Sequence, residues 1–274
     1  MGALDRWRTW NAAKLPGRAV NRWVRGWISP SLIIEVHRTA CIVTHPPGGK
    51  NCALINPANE QLVGTRFTPE ECWKRLYGDP VFGRWDKDYA TYPFQVIDGL
   101  VTEFGGDELQ RELLHTSSMD REGDVRCPVG CAVLTRDIGE LRELYRAVIH
   151  AVPPFYHGNK QWEDQSIQTY HAALDCAAAS GLTTIAIPLL GAGARGVDLP
   201  KPEALRVAAA ALVSWQGSND EEMMMTARFG VQDSTTAHAL ADALEAVMSL
   251  TAATGGRKFE LQAPPLSERW RLGR

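Results

Sequence analysis

The chain has 274 residues, 45% of them hydrophobic, and a formal net charge of −3. These values are typical of an ordinary soluble globular protein, and they exclude a general electrostatic attraction to nucleic acid or to an anionic membrane. No apolar run reaches the roughly 20 residues that a membrane-spanning helix needs. The six cysteines are scattered, and Cys127 and Cys131 have no second Cys/His pair at zinc-ligand spacing. We therefore expect reduced thiols in an intracellular protein, with neither a metal site nor a cofactor.

Residues 1–30 differ in composition from the rest of the chain. They carry six basic residues against the single acid Asp5, with four tryptophans among them. Pro16 and Gly17 divide the stretch into two predicted short helices. It could be an arm that packs its tryptophans on the main domain, an organelle-import segment, or a basic surface-binding segment. We favour the packed arm, because four tryptophans are costly to leave in water; import would leave the compartment within the cell open.

The main domain begins with strand-like sequence. Apolar stretches at 31–36 and 39–43 predict strands, 45–50 a turn, and 52–55 a short buried strand. That last strand ends in the sequence Asn-Pro-Ala-Asn, from Asn56 to Asn59. Asparagine amides both donate and accept hydrogen bonds, and asparagine tolerates unusual backbone angles. This segment therefore suits a ligand-binding loop, and an ordinary turn is the alternative.

The following segment is irregular. Thr68 as N-cap and Pro69 at the first helical position predict a helix over 68–76, and aromatic, turn-rich sequence continues to Phe94. Asp98 and Gly99 form either a simple turn pair or a loop that presents a catalytic carboxylate. A helix is predicted over 107–115.

The second half of the chain alternates helices and strands. Apolar residues at helical spacing predict a helix over 163–180, which Gly181 ends, and a helix that begins at Pro202. Strands are predicted at 183–189 and 223–231, and a last helix over 236–250. This alternation indicates an α/β sandwich.

The predicted strand 183–189 runs directly into a glycine-rich loop. Converging backbone N–H groups in such a loop bind anions, and phosphate is the usual occupant; a plain tight turn is the alternative. The loop also has the G-x-G-x-x-G spacing of dinucleotide-binding folds. However, Pro200 and Pro202 prevent a helix from running on from Gly196, as that fold requires. The side chain of Arg195 could add positive charge or point to solvent. The candidate phosphate-binding residues are Gly191, Ala192, Gly193, Ala194, Arg195, Gly196 and Val197.

Several segments resemble, in the same order, the motifs of macrodomains, the family that binds ADP-ribose. Residues 54–59 (LINPAN) resemble V-N-A-A-N, and 96–101 (VIDGLV) resemble the V-D-G-A-I segment of MacroD-type ADP-ribosyl hydrolases. Residues 127–135 and 145–154 resemble the family's C-P-T-G-E-A-x-I-T and Y-V-I-H-T-V-G-P strands. The glycine loop and its strand resemble I-A-F-P-x-I-S-T-G-x-Y-G. The resemblance covers residues 32–250.

The resemblance implies a three-layer α/β/α sandwich with a central mixed sheet. The macrodomain-like domain would span 31–253 and contain an insertion at about 66–95, where the family usually has a short glycine-rich loop. Residues 1–30 would form an N-terminal arm and residues 254–274 a C-terminal tail.

The resemblance also implies roles for single residues. The glycine loop would hold the diphosphate, and Asp98 would position or activate a water, with Asn59 orienting the distal ribose. His150 lies on a strand of the family and is interpreted as a packed, hydrogen-bonded histidine. Two departures stand out: the sequence Tyr-Pro-Phe-Gln at 92–95 replaces the glycines before Asp98, and the turn at 45–48 lacks the acid that reads adenine in the family. Besides the glycine loop, the implied ligand-binding residues are Asn56, Asn59, Gly99 and Phe229. A place in the hydrophobic core is the alternative for Phe229.

The sequence therefore predicts an ADP-ribose-binding domain that removes mono-ADP-ribosyl groups from proteins or deacetylates O-acetyl-ADP-ribose. Its partner would be ADP-ribose or an ADP-ribosylated protein. The replaced loop before Asp98 favours an alternative, a reader module without catalysis. A third possibility, a dinucleotide or sugar-nucleotide enzyme of the Rossmann type, is supported only by the glycine spacing.

Overall fold

The structure is a computed structural model. It describes residues 20–29, 32–39, 41–64, 66–67, 85–86, 89–91, 97–116, 125–196, 198–215, 217, 224–253 and 261–262. The predicted helix over 68–76, the segment 92–95 and the candidate Val197 lie outside these residues, as do most of the predicted arm and tail.

Strands and helices alternate along most of the described chain. In chain order, the strands are β1 (Val20–Ser29), β2 (Leu32–Thr39), β3 (Ala53–Pro57), β4 (Arg66–Phe67), β5 (Trp85–Asp86), β6 (Tyr89–Thr91), β7 (Ala132–Arg136), β8 (Ala147–Ala151), β9 (Thr184–Ile187), β10 (Met225–Val231) and β11 (Leu261–Gln262). The helices are α1 (Ile97–Leu114), α2 (Lys160–Ala179), α3 (Lys201–Ser214) and α4 (Ser234–Ala253).

Among the described residues, eight strands form one mixed sheet in the order β11-β1-β2-β10-β9-β3-β8-β7. Strands β2, β10, β9, β3 and β8 run parallel to one another, whereas β1, β7 and β11 are antiparallel to their neighbours. Parallel strands of this kind are buried on both faces and read as nearly continuous apolar runs, as β2 and β3 do here.

Helices cover both faces of the sheet, so the fold is the predicted three-layer α/β/α sandwich. On one face, Leu174 of α2, Leu205 of α3 and Leu240 of α4 belong to a single core with the inward side chains of the strands. On the other face, Leu100 and Phe104 of α1 belong to a second core. The sheet separates the two cores.

The helix boundaries follow from capping. Asn159 accepts a hydrogen bond from the backbone N–H of Trp162 at 2.9 Å and begins α2. Gly181, with φ +66°, follows the end of that helix as predicted. Helix α3 begins after Pro200, so no helix runs on from the glycine loop. Helix α1 starts ten residues before the predicted 107–115 and is broken at Gly106, which has φ 57°.

Two local predictions are wrong. In the predicted strand 39–43, residues 41–43 are not a strand; residues 42–44 form a turn in which the backbone N–H of His45 donates to the Cys41 carbonyl at 2.9 Å. Its apolar residues Ile42 and Val43 are buried in the second core, which explains the misleading pattern. The second predicted helix of the N-terminal segment is also wrong, because β1 occupies Val20–Ser29 and pairs with β2.

The predicted insertion contains a small antiparallel sheet of its own, in the order β4-β6-β5.

None of the described helices is long and apolar enough to cross a membrane.

Candidate active site at the carboxyl edge of the sheet

Strands β3, β8 and β9 are parallel neighbours, so their carboxyl ends meet at one edge of the sheet. Asn56 on β3 is in register with His150 on β8, and the glycine loop follows β9 on the other side of β3. In open α/β sheets, ligands bind outside the carboxyl ends of such strands. The fold therefore brings the asparagine segment and the glycine loop together.

Asp98 and Asn56 are in direct contact. Asp98 lies in the first turn of α1, only 3% exposed, and its Oδ1 accepts a hydrogen bond from Asn56 Nδ2 at 2.8 Å. The N-terminal turn of a helix favours a negative charge. Thr102 Oγ1 donates to the Asp98 carbonyl at 2.8 Å, which fixes the backbone of this turn. The pair is thus a buried carboxylate held by an amide.

The other side of the Asn56 amide faces a histidine. Nδ2 also lies 3.2 Å from Nδ1 of His150, whereas Oδ1 is buried and has no hydrogen-bond partner within the described part of the chain. A buried acceptor without a partner costs about 1–3 kcal/mol. A hydroxyl or water donor placed against this oxygen would remove that cost.

His150 is buried, and its ring is neutral. Burial lowers its pKa to about 4, so the ring is neutral at neutral pH. Its Nε2 lies 3.0 Å from Oγ1 of Thr135 on β7. The network therefore runs from Asp98 through Asn56 and His150 to Thr135.

Asn59 is engaged within its own loop. Its Nδ2 donates to the Gly64 carbonyl at 2.7 Å, and its Oδ1 accepts from the backbone N–H of Val63 at 3.2 Å. In this structure the Asn59 side chain therefore stabilises the loop 59–64, and a role at the ribose would require it to exchange these bonds.

The glycine loop is a tight turn that needs glycine at two positions. Gly191 has φ +73°, which L-residues rarely adopt. A Cβ at Gly196 would overlap the carbonyl oxygen of Gly191, far inside van der Waals contact. Residues Ala194–Gly196 form one 3₁₀ turn, and Ala192 and Gly193 are exposed. The exposed part of the loop is the part that is open to a ligand.

Arg195 is directed into the protein rather than to solvent. Its guanidinium makes a two-pronged ion pair with the Glu60 carboxylate, and Nη1 also donates to the Pro153 carbonyl at 2.8 Å. The same group stacks 4.6 Å from the centre of the Phe155 ring. Burial acts to raise the pKa of Glu60, but the Arg195 hydrogen bonds and charge outweigh it and hold that pKa below its ordinary value. The pair links the glycine loop to the segment that follows Asn59.

Two other predicted positions are buried rather than open to a ligand. Phe229 is fully buried in the first core, with its ring centre 6.4 Å from that of Tyr170. The structure therefore gives it the core role rather than that of a pocket wall. Gly99 is buried in α1 next to Asp98.

The turn at 45–48 lacks an acid in sequence and lies against Arg228, which is paired with an acid. A Cβ at Gly48 would lie 2.5 Å from Nη1 of Arg228, and Nε of Arg228 donates to Oε2 of Glu35 at 2.8 Å. Nε2 of His37 lies 3.0 Å from the same oxygen. Arg228 thus connects this turn to Glu35, which is buried and paired, and the turn itself has no acid.

Comparison with known proteins identifies the family. A sequence model of the Macro domain matches residues 92–208. A Macro domain-containing protein of Listeria monocytogenes is 33% identical over 134 residues, which are 48% of this chain and 71% of that protein. The chain belongs to the macrodomain family. The O-acetyl-ADP-ribose deacetylase of Escherichia coli is 34% identical over 113 residues, which are 41% of this macrodomain and 59% of the deacetylase.

Solved structures agree on the fold. The Oceanobacillus iheyensis macrodomain with ADP superposes with a TM-score of 0.59 at 16% identity, covering 85% of this chain and all of that one (100%). The Trypanosoma brucei macrodomain in complex with ADP superposes with a TM-score of 0.50 at 18% identity, covering 88% and 85% of the two chains. Identities this low establish the architecture alone.

Sequence reasoning missed Glu60 and Thr135, and it left His150 without a role at the site. Glu60 follows the asparagine segment directly and is one of few charges near it, as Arg195 is in the glycine loop; these two isolated opposite charges were the available signal. Thr135 gave none, because a threonine is ordinary in a strand. Among the described residues, no cluster of three or more His, Cys, Asp or Glu could hold a metal ion.

Proposed function

We propose that this macrodomain binds ADP-ribose and hydrolyses its esters, with O-acetyl-ADP-ribose as the small-molecule substrate and ADP-ribosylated protein as the wider class. The contact between Asp98 and Asn56 carries the proposal, since it holds a buried carboxylate at the edge of the sheet beside the glycine loop. The similarity to a protein named O-acetyl-ADP-ribose deacetylase supports the choice of ester.

The two halves of the site suit the two ends of the ligand. The glycine loop exposes Ala192 and Gly193, and the backbone N–H groups of such loops suit a diphosphate. At the end of β3, the side-chain oxygen Oδ1 of Asn56 and the Asp98 carboxylate are both hydrogen-bond acceptors, which suits the hydroxyl groups of a ribose or a water. The diphosphate would anchor the ligand so that its distal ribose reaches Asp98.

The chemistry requires one proton transfer in each direction. Asp98 accepts a proton from a water as that water attacks the acyl carbon of the ester. The bond between the acyl carbon and the ribose oxygen then breaks, and the ribose oxygen takes up the proton from Asp98. Acetate and ADP-ribose are the products. The hydrogen bond from Asn56 orients the Asp98 carboxylate for the first transfer.

Replacement of Asp98 by asparagine tests this role. Asp98→Asn keeps the shape of the side chain but removes the base, so we expect the kcat for acetate release from O-acetyl-ADP-ribose to fall by about 10²–10⁴-fold. Affinity for ADP-ribose, measured by calorimetry, should change by no more than a few-fold. Glu143→Gln is the matched control, because Glu143 is an exposed carboxylate in the 3₁₀ turn Gly139–Glu143, and it should leave both values unchanged.

Wild-type turnover in Asp98→Asn would contradict the catalytic role, and no binding of ADP-ribose to the wild type would contradict the whole proposal. Binding without turnover would support the second candidate, a reader module. One observation favours that candidate: the Asn59 amide is already engaged by its own loop and not turned to a ligand.

A further inference from the structure

Behind the Asp98–Asn56 pair lies a polar chain that the chemistry above does not use. Asn56 and His150 are each 1% exposed and Thr135 is 3% exposed, so their hydrogen bonds are shielded from water. They come from β3, β8 and β7, three adjacent strands, which gives the chain a rigid frame. Buried polar groups of this kind are costly unless their partners are fixed.

The geometry determines which way the Asn56 amide faces. Its Nδ2 carries two hydrogens and has two acceptors, Asp98 Oδ1 at 2.8 Å and His150 Nδ1 at 3.2 Å. With the amide reversed, the carbonyl oxygen would face the Asp98 carboxylate and repel it. Both acceptors therefore favour the same orientation, and the carbonyl oxygen is left for the ligand.

The same contacts determine the tautomer of His150. Nδ1 accepts from Asn56, so in the neutral ring the proton is on Nε2. That nitrogen lies 3.0 Å from Oγ1 of Thr135, and the hydroxyl oxygen can accept its hydrogen. Asn56 thus selects the tautomer, and the Thr135 hydroxyl, which can either donate or accept, gives the Nε2 hydrogen a partner.

We propose that His150 is a positioning residue: its unprotonated Nδ1 holds the Asn56 amide in the one orientation that both directs the Asp98 carboxylate and offers the Asn56 carbonyl to the ligand. This inference rests on the proposed function for its effect on turnover, whereas the orientation itself does not. Without an acceptor at Nδ1, the second N–H of Asn56 loses this partner, and the amide that donates to Asp98 is held from one side only.

Two amide substitutions separate the two ring nitrogens. In His150→Asn, the side-chain oxygen lies near the position of Nδ1 and can still accept from Asn56. In His150→Gln, the amide reaches toward the position of Nε2, so the second side-chain N–H of Asn56 has no acceptor at the position of Nδ1. We expect kcat within about threefold of wild type for His150→Asn and a loss of about 10–100-fold for His150→Gln, the scale of a misplaced catalytic group. Affinity for ADP-ribose should be similar in both, because the glycine loop is untouched.

Equal kcat values for the two variants, or a loss of affinity with kcat unchanged, would overturn the proposal. Circular dichroism establishes whether each variant folds. Nitrogen NMR of the histidine rings in the wild type provides a test that needs no ligand, with the signal of His150 assigned by its disappearance in His150→Asn. We expect a protonated Nε2 and an unprotonated Nδ1 at pH 7; the opposite tautomer or an imidazolium would overturn the proposal. A wild type that does not bind ADP-ribose would instead contradict the proposed function and leave this second test standing.

Discussion

At the scale of single residues, the ion pair between Glu60 and Arg195 decides how Arg195 is used. A guanidinium in a glycine loop suggests a phosphate contact, but one edge and one face of this group are already occupied. One edge binds the Glu60 carboxylate, and the plane stacks on Phe155. A two-pronged Arg–carboxylate pair fixes distance and angle at once. Arg195 therefore sets the spacing between the glycine loop and the asparagine segment.

Removal of the Glu60 charge should destabilise the protein more than removal of an exposed charge. Glu60→Gln leaves Arg195, whose side chain is 11% exposed, with a neutral partner. We expect a loss of about 1–2 kcal/mol in the free energy of unfolding, below the value for a fully buried pair because Glu60 is partly exposed. Urea denaturation measures it. Asp164→Asn, which breaks the exposed pair with Lys160, is the matched control and should change little. Equal effects would contradict a structural role for the Glu60–Arg195 pair.

The sequence predicts some site residues well and others poorly, for physical reasons. Asn56 and Asp98 were found because short motifs carry them, and the structure brings them into contact. The role of Phe229 was ambiguous, although every second residue of β10 is buried. Met225, Ala227 and Phe229 share this pattern, and all three belong to the first core. The role of His150 was not predictable, because it depends on residues 94 positions before it and 15 positions before it that only the sheet brings together.

At the scale of elements, the glycine loop combines two kinds of glycine. Gly196 is required by close packing, because a side chain would strike the Gly191 carbonyl, whereas Gly193 has no atom within 4 Å of where its Cβ would be. The same motif letter therefore has two different physical meanings, and only the structure separates them.

Alanine substitutions in the loop should show this difference. Gly196→Ala forces the backbone of the loop to shift, and we expect a loss of about 1–3 kcal/mol in stability, the range for backbone strain. Gly193→Ala, in open space and without a positive φ, should change the free energy of unfolding by less than about 0.5 kcal/mol. Thermal unfolding of both variants against wild type is the measurement. A destabilised Gly193→Ala with a neutral Gly196→Ala would contradict the geometry of the loop.

Element prediction succeeded where the signal was local. Helices α2, α3 and α4 have apolar residues at helical spacing, and their starts lie within three residues of the predicted ones. Strand β1 was missed because its structure depends on pairing with β2, a contact that no local pattern of Val20–Ser29 specifies. The turn at 42–44 was taken for a strand because buried turns and buried strands share apolar residues.

At the scale of the whole molecule, two buried polar groups on the α1 side of the sheet link folding to pH. The hydrogen bond from His37 is the largest effect on Glu35; burial opposes it, Arg228 adds to it, and together they hold the pKa of Glu35 at about 2. Burial lowers the pKa of His150 to about 4. In both cases the unfolded chain binds a proton at a higher pH than the folded chain does. Acid therefore favours the unfolded state through both groups, but the two groups act over different ranges of pH.

The free energy of unfolding should fall in two successive pH ranges as the solution is acidified. Between about pH 6.5 and 4, His150 takes up a proton only in the unfolded chain, which costs the native state on the order of 3 kcal/mol in total. Between about pH 4.5 and 2, Glu35 does the same. Urea denaturation at steps from pH 7 to 2 measures both ranges. His150→Asn should lose the dependence that arises in the first range and keep the second, and Glu35→Gln should do the reverse. If the slope of the free energy of unfolding against pH were unchanged above pH 4.5 in His150→Asn, His150 would not be held neutral in the folded protein. That result would also contradict the neutral tautomer that we propose positions Asn56.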